Sequence, residues 1–262
     1  MNYNNLLEIA KEAALAGGEA IMEVYNTADF GVEMKSDNSP LTKADQAAHN
    51  AIVDLLKSTN LPILSEEGRD ISYEERSNWK QFWMVDPLDG TKEFIKRNGE
   101  FTVNIALIEN HNPVLGIVYA PVLDKLFFGG SATKNAWMKS KGVTSELKPS
   151  TVMPLDKFKE KENTRIVASR SHRNSDTDDF ISSCNQPEIV SMGSSLKFLI
   201  VAEGDADIYP RFAPTMEWDT AAADGVLRGL GYQVLQVHNN EPIQSLLEYN
   251  KQNLLNPHFI AY

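Results

Sequence analysis

The chain has 262 residues, 42% hydrophobic and 23% charged, the balance of a soluble globular protein with one large or two closely packed domains. Lysine and arginine number 25 against 36 acids, and the resulting charge of −11 argues against a broad face for nucleic acid. One cysteine, Cys184, excludes an internal disulfide and a zinc-thiolate cluster, and points to a reducing compartment, most simply the cytoplasm.

The N-terminus lacks a basic region and meets charges at Glu8, Lys11 and Glu12, so it does not read as a signal peptide. The longest uncharged stretch, about 110–123, holds two prolines and is shorter than the ~20 residues a spanning helix needs. Leu6, Leu7, Ala10, Ala14, Ile21, Met22 and Tyr25 are spaced for one helical face, which predicts an amphipathic helix over the first 26 residues. An extended piece at 31–35 leads through the turn Asp37-Asn38-Ser39-Pro40 to a second helix, from Thr42 to about Leu56. Residues 62–65 read as a buried strand stopping at Glu66-Glu67-Gly68. Residues 82–85 read as another, stopping at Asp86-Pro87 because proline has no N–H for the ladder.

Strands are expected at 101–109, 114–119 and 125–128, with turns at 111–113 and Pro121, so the sheet is antiparallel or mixed. Residues 139–163, rich in Lys, Ser and Glu with Pro149 and Pro154, read as an exposed connection between the halves 1–150 and 151–262. Strands at 165–168, 188–192, 206–209 and 232–236 then alternate with helices at 176–183, 195–202 and 220–230, which is α/β layering.

The densest chemical signal is Asp86-Pro87-Leu88-Asp89-Gly90-Thr91, where an apolar strand gives way to a helix that Asp89 or Gly90 can start. Two acids three residues apart around a tight turn can converge on one point, and the free N–H groups of the helix start suit a phosphate. Alone, the segment reads equally well as a strand end with an N-cap aspartate. Glu66-Glu67 alone reads as a solvated pair at a strand end. Asp219, in Glu217-Trp218-Asp219-Thr220-Ala221-Ala222-Ala223, alone reads as another N-cap.

Together, in this order and spacing, the three fragments resemble the signature of the magnesium-dependent, lithium-sensitive phosphatases of the inositol monophosphatase superfamily. The chain is most similar to the bacterial branch acting on 3'(2'),5'-bisphosphate nucleotides. The likeness extends through residues 37–45, Leu64-Ser-Glu-Glu67, the long run 83–106, Ser169-Arg-Ser-His172, Gly193-Ser-Ser-Leu-Lys197, Ala202-Glu-Gly204 and Tyr209-Pro-Arg211. It covers nearly the whole chain and is weakest at 131–163 and after Gln236. The resemblance implies an α/β (α+β) fold, the layered α-β-α-β-α sandwich. It also implies metal ligation by Glu66, Asp86, the Leu88 carbonyl, Asp89 and Asp219, with two or three Mg²⁺ ions. The first half would carry most of these ligands, and the second half Asp219 and the nucleotide-binding residues. All are oxygen donors, which suit Mg²⁺ rather than zinc. Four carboxylates carry −4, so two ions neutralise the site and a third makes it attract phosphate.

The implied reaction is in-line attack of water on a phosphomonoester without a phosphoenzyme, since Ser171, Ser194 and Ser195 show no sign of a triad. Thr91 and Asp45 match the family pair that orients and deprotonates the water, and Glu66 assists. Asp89, Gly90, Thr91, Lys92, His172, Ser194, Lys197, Arg211 and Asp219 match positions meeting the substrate. Without the resemblance, His172 reads as a surface histidine and Lys197 as a solvated helix residue. Gly193-Ser194-Ser195 before a helix is a candidate second anion site.

The expected activity is hydrolysis of adenosine 3',5'-bisphosphate to AMP and phosphate, within sulfur assimilation, with the phosphosulfated nucleotide as a second substrate. The alternatives are an inositol or sugar monophosphatase, or an inactive nucleotide or metal sensor. The Ser-Arg-Ser-His and Gly-Ser-Ser-Leu-Lys segments argue against the first, and the presence of every acid argues against the second. The expected partner is the small-molecule nucleotide, bound by a monomer or homodimer. Basic clusters are too sparse for an electrostatic membrane anchor, although the resemblance allows a loose association with the inner membrane.

Overall fold

The computed structural model describes residues 2–27, 30–34, 40–150, 153–168, 174–238 and 241–262. Helix α1 (Tyr3–Tyr25) and the short antiparallel pair β1 (Glu33–Met34) and β2 (Pro40–Leu41) lead to α2 (Lys43–Leu56). Strand β3 (Ile63–Ser65), the single turn α3 (Tyr73–Arg76), β4 (Gln81–Asp89) and α4 (Thr91–Ile95) follow. A meander then runs through β5 (Thr102–Glu109), β6 (Asn112–Ala120), β7 (Lys125–Gly130), β8 (Asn135–Ser140) and β9 (Val143–Glu146). The second half comprises α5 (Leu155–Glu160), β10 (Arg165–Val167), α6 (Ser175–Ser182), β11 (Glu188–Val190), α7 (Leu196–Ala202) and β12 (Tyr209–Arg211). After a 3₁₀ turn at Glu217–Asp219 come α8 (Ala221–Gly229), β13 (Val234–His238), β14 (Glu241–Leu246) and β15 (Phe259–Ala261).

Side-chain alternation turns these elements into five layers, since successive strand residues face opposite sides. The large sheet has the order β3-β4-β5-β6-β7-β8-β9, with β3 and β4 parallel and every other neighbour antiparallel. Trp83, Val85, Ile105, Leu107 and Ile117 point to one side, against Leu6, Ala10, Ala14 and Ile21 of α1 and Ala48 and Ile52 of α2. Phe82, Met84, Ala106, Val118 and Phe127 point to the other, against Leu199 of α7 and Ala222 and Val226 of α8. Burial of each large apolar side chain here contributes about 1.5–3 kcal/mol.

The small sheet, in the order β12-β15-β13-β14, covers the far side of α7 and α8. Its Tyr209, Val234, Phe259 and Ala261 join that same central core, while Leu235, Val237 and Ile260 face Phe158 of α5 and Phe180 of α6. The sequence of layers is therefore α-β-α-β-α. The central core draws on residues from Leu64 to Ala261 and so spans both halves of the chain. Helix α8 can lie so close to β6 only because position 116 is glycine: a Cβ there would fall 1.9 Å from the Ala222 carbonyl oxygen.

Three expectations change. Strand β4 does not stop at Pro87. Asp86 pairs with Asn104 and Asp89 with Thr102, so one extra residue bulges between them and the missing proline N–H costs no ladder bond. Residues 139–163 are not a bare connection. Strands β8 and β9 form a hairpin about Lys141 and Gly142, both with positive φ, and α5 follows. After Gln236 the chain adds β14 and β15, and β15 lies inside the small sheet between β12 and β13. The predicted turn at Asp37-Asn38-Ser39 lies outside the described residues, as do Ser171 and His172.

Candidate active site

Parallel pairing of β3 with β4 sets Ser65 opposite Val85, so the chain emerges with Glu66 beside Asp86. The Glu66 N–H donates to the Val85 carbonyl at 3.0 Å, which fixes this junction. The 3₁₀ turn before α8 brings in Asp219, and carboxylate oxygens of Glu66, Asp86 and Asp219 lie within 4.8 Å of one another. Asp86 is 2% exposed, and its Oδ1 accepts the Leu88 N–H at 3.0 Å. Asp89 is held through Oδ2, which accepts Ser194 Oγ at 2.8 Å, Ser195 N–H at 2.6 Å and Ser195 Oγ at 2.7 Å.

Burial raises the Asp86 carboxyl well above the usual range, and Glu66, Asp89, Asp219 and Asp45 add like-charge repulsion. The Asp219 carboxyl is pushed up to about 8, by burial first and then by Asp89, against the pull of the Met216 N–H. Among the described residues Asp86, Asp89 and Asp219 have no salt-bridge partner. A hard divalent cation fits this set: the donors are oxygens, they converge, and their mutual repulsion adds to burial in raising Asp86 and Asp219.

Gly90 starts α4 with φ +93°, a left-handed conformation that suits glycine, and a Cβ there would lie 3.2 Å from the Glu100 carbonyl and Ser194 Cβ. That turn sets Thr91 Oγ1 at 3.3 Å from both Asp45 Oδ1 and the Leu88 carbonyl. One hydroxyl proton serves only one of them at a time. Asp45 is 2% exposed and closes the capping box of α2, its Oδ2 accepting Thr42 N–H at 2.7 Å and Thr42 Oγ1 at 2.6 Å. The Asp45–Thr91 pair is thus built from two helix starts that face each other.

A pocket of about 180 Å³ adjoins Asp89 and Asp219 and is lined by Gly90, Ser194, Ser195, Lys197 and Arg211. Phe198, Tyr209 and Phe259 supply its apolar lining, and Glu93, Lys96, Asn98 and Glu100 also line it. Lys197 Nζ donates to the Ser194 carbonyl at 2.7 Å, and burial pushes the amine down to about 8. Asp89 holds it up while Arg211 pushes it further down, which places both cations in one field. Arg211 Nη2 donates to the Pro214 carbonyl at 3.3 Å, and its buried Nε has no hydrogen-bond partner among the described residues.

Lys92 is exposed and does not line this pocket, whereas Lys96 does. Ser195, expected only as part of a candidate anion site, instead holds Asp89, and its Oγ also lies 2.8 Å from the Asp219 carbonyl; Asn104, which no motif marked, donates to Ser195 Oγ at 2.9 Å. A serine doublet before a helix and a buried amide on an otherwise apolar strand were the available signals.

The inositol monophosphatase family model matches residues 2–259. The chain belongs to the inositol monophosphatase family. Over 258 residues it is 42% identical to the 3'(2'),5'-bisphosphate nucleotidase CysQ of Escherichia coli, covering 97% of this chain and 98% of that one. It is 34% identical over 264 residues to the protein of the same name in Haemophilus influenzae, covering 98% and 91%. The crystal structure of CysQ from Bacteroides thetaiotaomicron, itself a bacterial member of the inositol monophosphatase family, matches with a TM-score of 0.81 and 43% identity, covering 98% and 96%. Enzymes of the inositol monophosphatase family are metal-dependent, in keeping with the buried acids described above. Among the described residues no helix is long and apolar enough to cross a membrane.

Proposed function

We propose that the chain is a Mg²⁺-dependent 3'(2'),5'-bisphosphate nucleotidase that releases the 3'-phosphate of adenosine 3',5'-bisphosphate and leaves AMP. The observation that carries this reading is a pocket beside the acid cluster whose lining includes two cations in each other's field, Lys197 and Arg211, in a chain of net charge −11. The full-length likeness to nucleotidases of this name supports it. The phosphosulfated nucleotide presents the same 3'-phosphate and is a second substrate in this reading.

Glu66, Asp86, Asp89, Asp219 and the Leu88 carbonyl would hold two or three Mg²⁺ ions, which supply Lewis-acid stabilisation of the phosphoryl and leaving oxygens and acidify water. Thr91 orients the attacking water, and Asp45 accepts a proton through the hydroxyl it meets. Ser194 Oγ and the Ser195 N–H fix Asp89, while the single Ser195 hydroxyl proton serves either Asp89 or the Asp219 carbonyl. Lys197 and Arg211 bind the 5'-phosphate, with the pocket's apolar lining alongside for the nucleoside. His172, by its match to the family, joins the nucleotide side. Cys184, buried and the chain's single cysteine, fits the reducing cytoplasm as the compartment.

Remote contacts of this kind add binding energy that a smaller ester cannot use. Lys197→Ala and Arg211→Ala are each expected to lower kcat/KM for adenosine 3',5'-bisphosphate about 10- to 150-fold, the equivalent of ~1.5–3 kcal/mol for a charge-assisted contact. Turnover of adenosine 3'-monophosphate, which lacks the 5'-phosphate, should barely change. Equal losses on both esters would assign these residues to the fold or the metal centre. Preference of the wild type for inositol 1-phosphate would favour the sugar-phosphatase reading instead.

A further inference from the structure

We infer that the C-terminal segment 249–256 is a positioning brace for Asp219, tied by Arg76 to the stretch of chain that follows Glu66. The inference rests on the metal-centre reading above and extends it to residues that touch neither metal nor substrate.

Asp219 sits in a 3₁₀ turn of three residues, and its Oδ2 is oriented by the Met216 N–H at 2.8 Å. So short a turn has little internal support, and its partners come from the C-terminal segment. Asn256 Nδ2 donates to the Met216 carbonyl at 2.8 Å and to Thr220 Oγ1 at 3.0 Å, while its N–H donates to the Thr215 carbonyl at 2.8 Å. The Glu217 N–H donates to the Leu254 carbonyl at 2.9 Å. The Glu217 side chain, fully buried, accepts the N–H groups of Asn250 and Lys251 and the Lys251 ammonium at 2.6 Å. Residues on both sides of Asp219 are therefore pinned to one segment.

The segment is itself clamped from the opposite side. Arg76, 3% exposed at the end of α3, donates through Nη1 to Asn250 Oδ1 at 2.8 Å and the Lys251 carbonyl at 2.7 Å. Its Nη2 reaches the Gln252 carbonyl at 2.9 Å, and Asn250 Nδ2 returns a bond to the Arg76 carbonyl at 2.8 Å. Only a planar fork with several donors can hold three acceptors in this way; a lysine ammonium on its flexible stem cannot. Mg²⁺ tolerates little departure from octahedral geometry, so a small shift of the 216–220 turn should be read as lost metal affinity.

The test is calorimetric titration of Mg²⁺ into chelator-stripped protein, for the wild type, Asn256→Ala and Arg76→Lys. Each variant is expected to weaken Mg²⁺ binding about 10- to 100-fold, the usual scale for groups that orient ligands. KM for adenosine 3',5'-bisphosphate at saturating Mg²⁺ should stay unchanged. Leu6→Ala, in the core on the opposite side of the large sheet from Tyr249, serves as a destabilised control and should bind Mg²⁺ as the wild type does. Wild-type affinity in folded Asn256→Ala and Arg76→Lys would overturn the brace, as would equal weakening in Leu6→Ala. A wild type that binds no Mg²⁺ would instead overturn the metal reading, and the brace with it.

Discussion

Replacing Asp86 by asparagine is expected to lower phosphate release at least ~10³-fold while making the metal-free protein more stable. Asparagine keeps the volume and the Oδ1 acceptor that the Leu88 N–H uses, so the local turn survives. What is lost is a negative charge at the centre of the acid cluster. Metal-borne stabilisation of the transition state amounts to several kcal/mol, and about 4 kcal/mol corresponds to ~10³ in rate.

The opposite effect on stability follows from the raised carboxyls. Asp86 and Asp219 bind their protons more tightly in the folded chain than in the unfolded one. Wherever the folded state holds more protons, stability falls as pH rises. For Asp219 that window runs from the ordinary carboxylate range near 3.8 up to about 8. Thermal melts in chelator should therefore show the wild type weakening between pH 5 and 8, with a shallower slope for Asp86→Asn. Added Mg²⁺ should restore the wild type far more than the variant. A metal-free Asp86→Asn melting below the wild type at pH 8 would show that the buried charge is already compensated.

Thr91→Ala should leave the metal ligands in place and cost about 10²–10⁴ in kcat, the range for positioned proton transfer. The hydroxyl lies between Asp45 and the Leu88 carbonyl, so its removal deletes the group that orients water and the route to Asp45. Thr91→Ser, which restores a hydroxyl, should recover most of the rate, and Mg²⁺ affinity should be close to normal in both. A normal kcat for Thr91→Ala would remove this residue from the reaction.

The parts of the site legible from local pattern are those where an apolar strand ends on acids, at Glu66 and at Asp86. That these two strands lie side by side and parallel was not legible, because strand pairing is a long-range choice made by the packed sheet. Pro87 shows a local rule overridden: proline lacks a ladder donor, but a bulge removes the need for one. Strand β9, exposed at all four residues, and β15, only three residues long, carry no usable alternation. Asp219 joins the cluster through tertiary packing of α8 on Gly116, so only the motif resemblance connected it to Asp86. Helix α4 ends at Ile95, and Lys92 and Lys96 are both exposed, but only Lys96, just past the helix, lines the pocket.

The most direct measurement is phosphate release from adenosine 3',5'-bisphosphate by chelator-treated protein, before and after Mg²⁺ is returned. Turnover is expected to vanish in excess chelator and to recover with Mg²⁺, because the empty cluster of acids repels the phosphate it must bind. Undiminished release in excess chelator would contradict a reaction centred on Glu66, Asp86, Asp89 and Asp219.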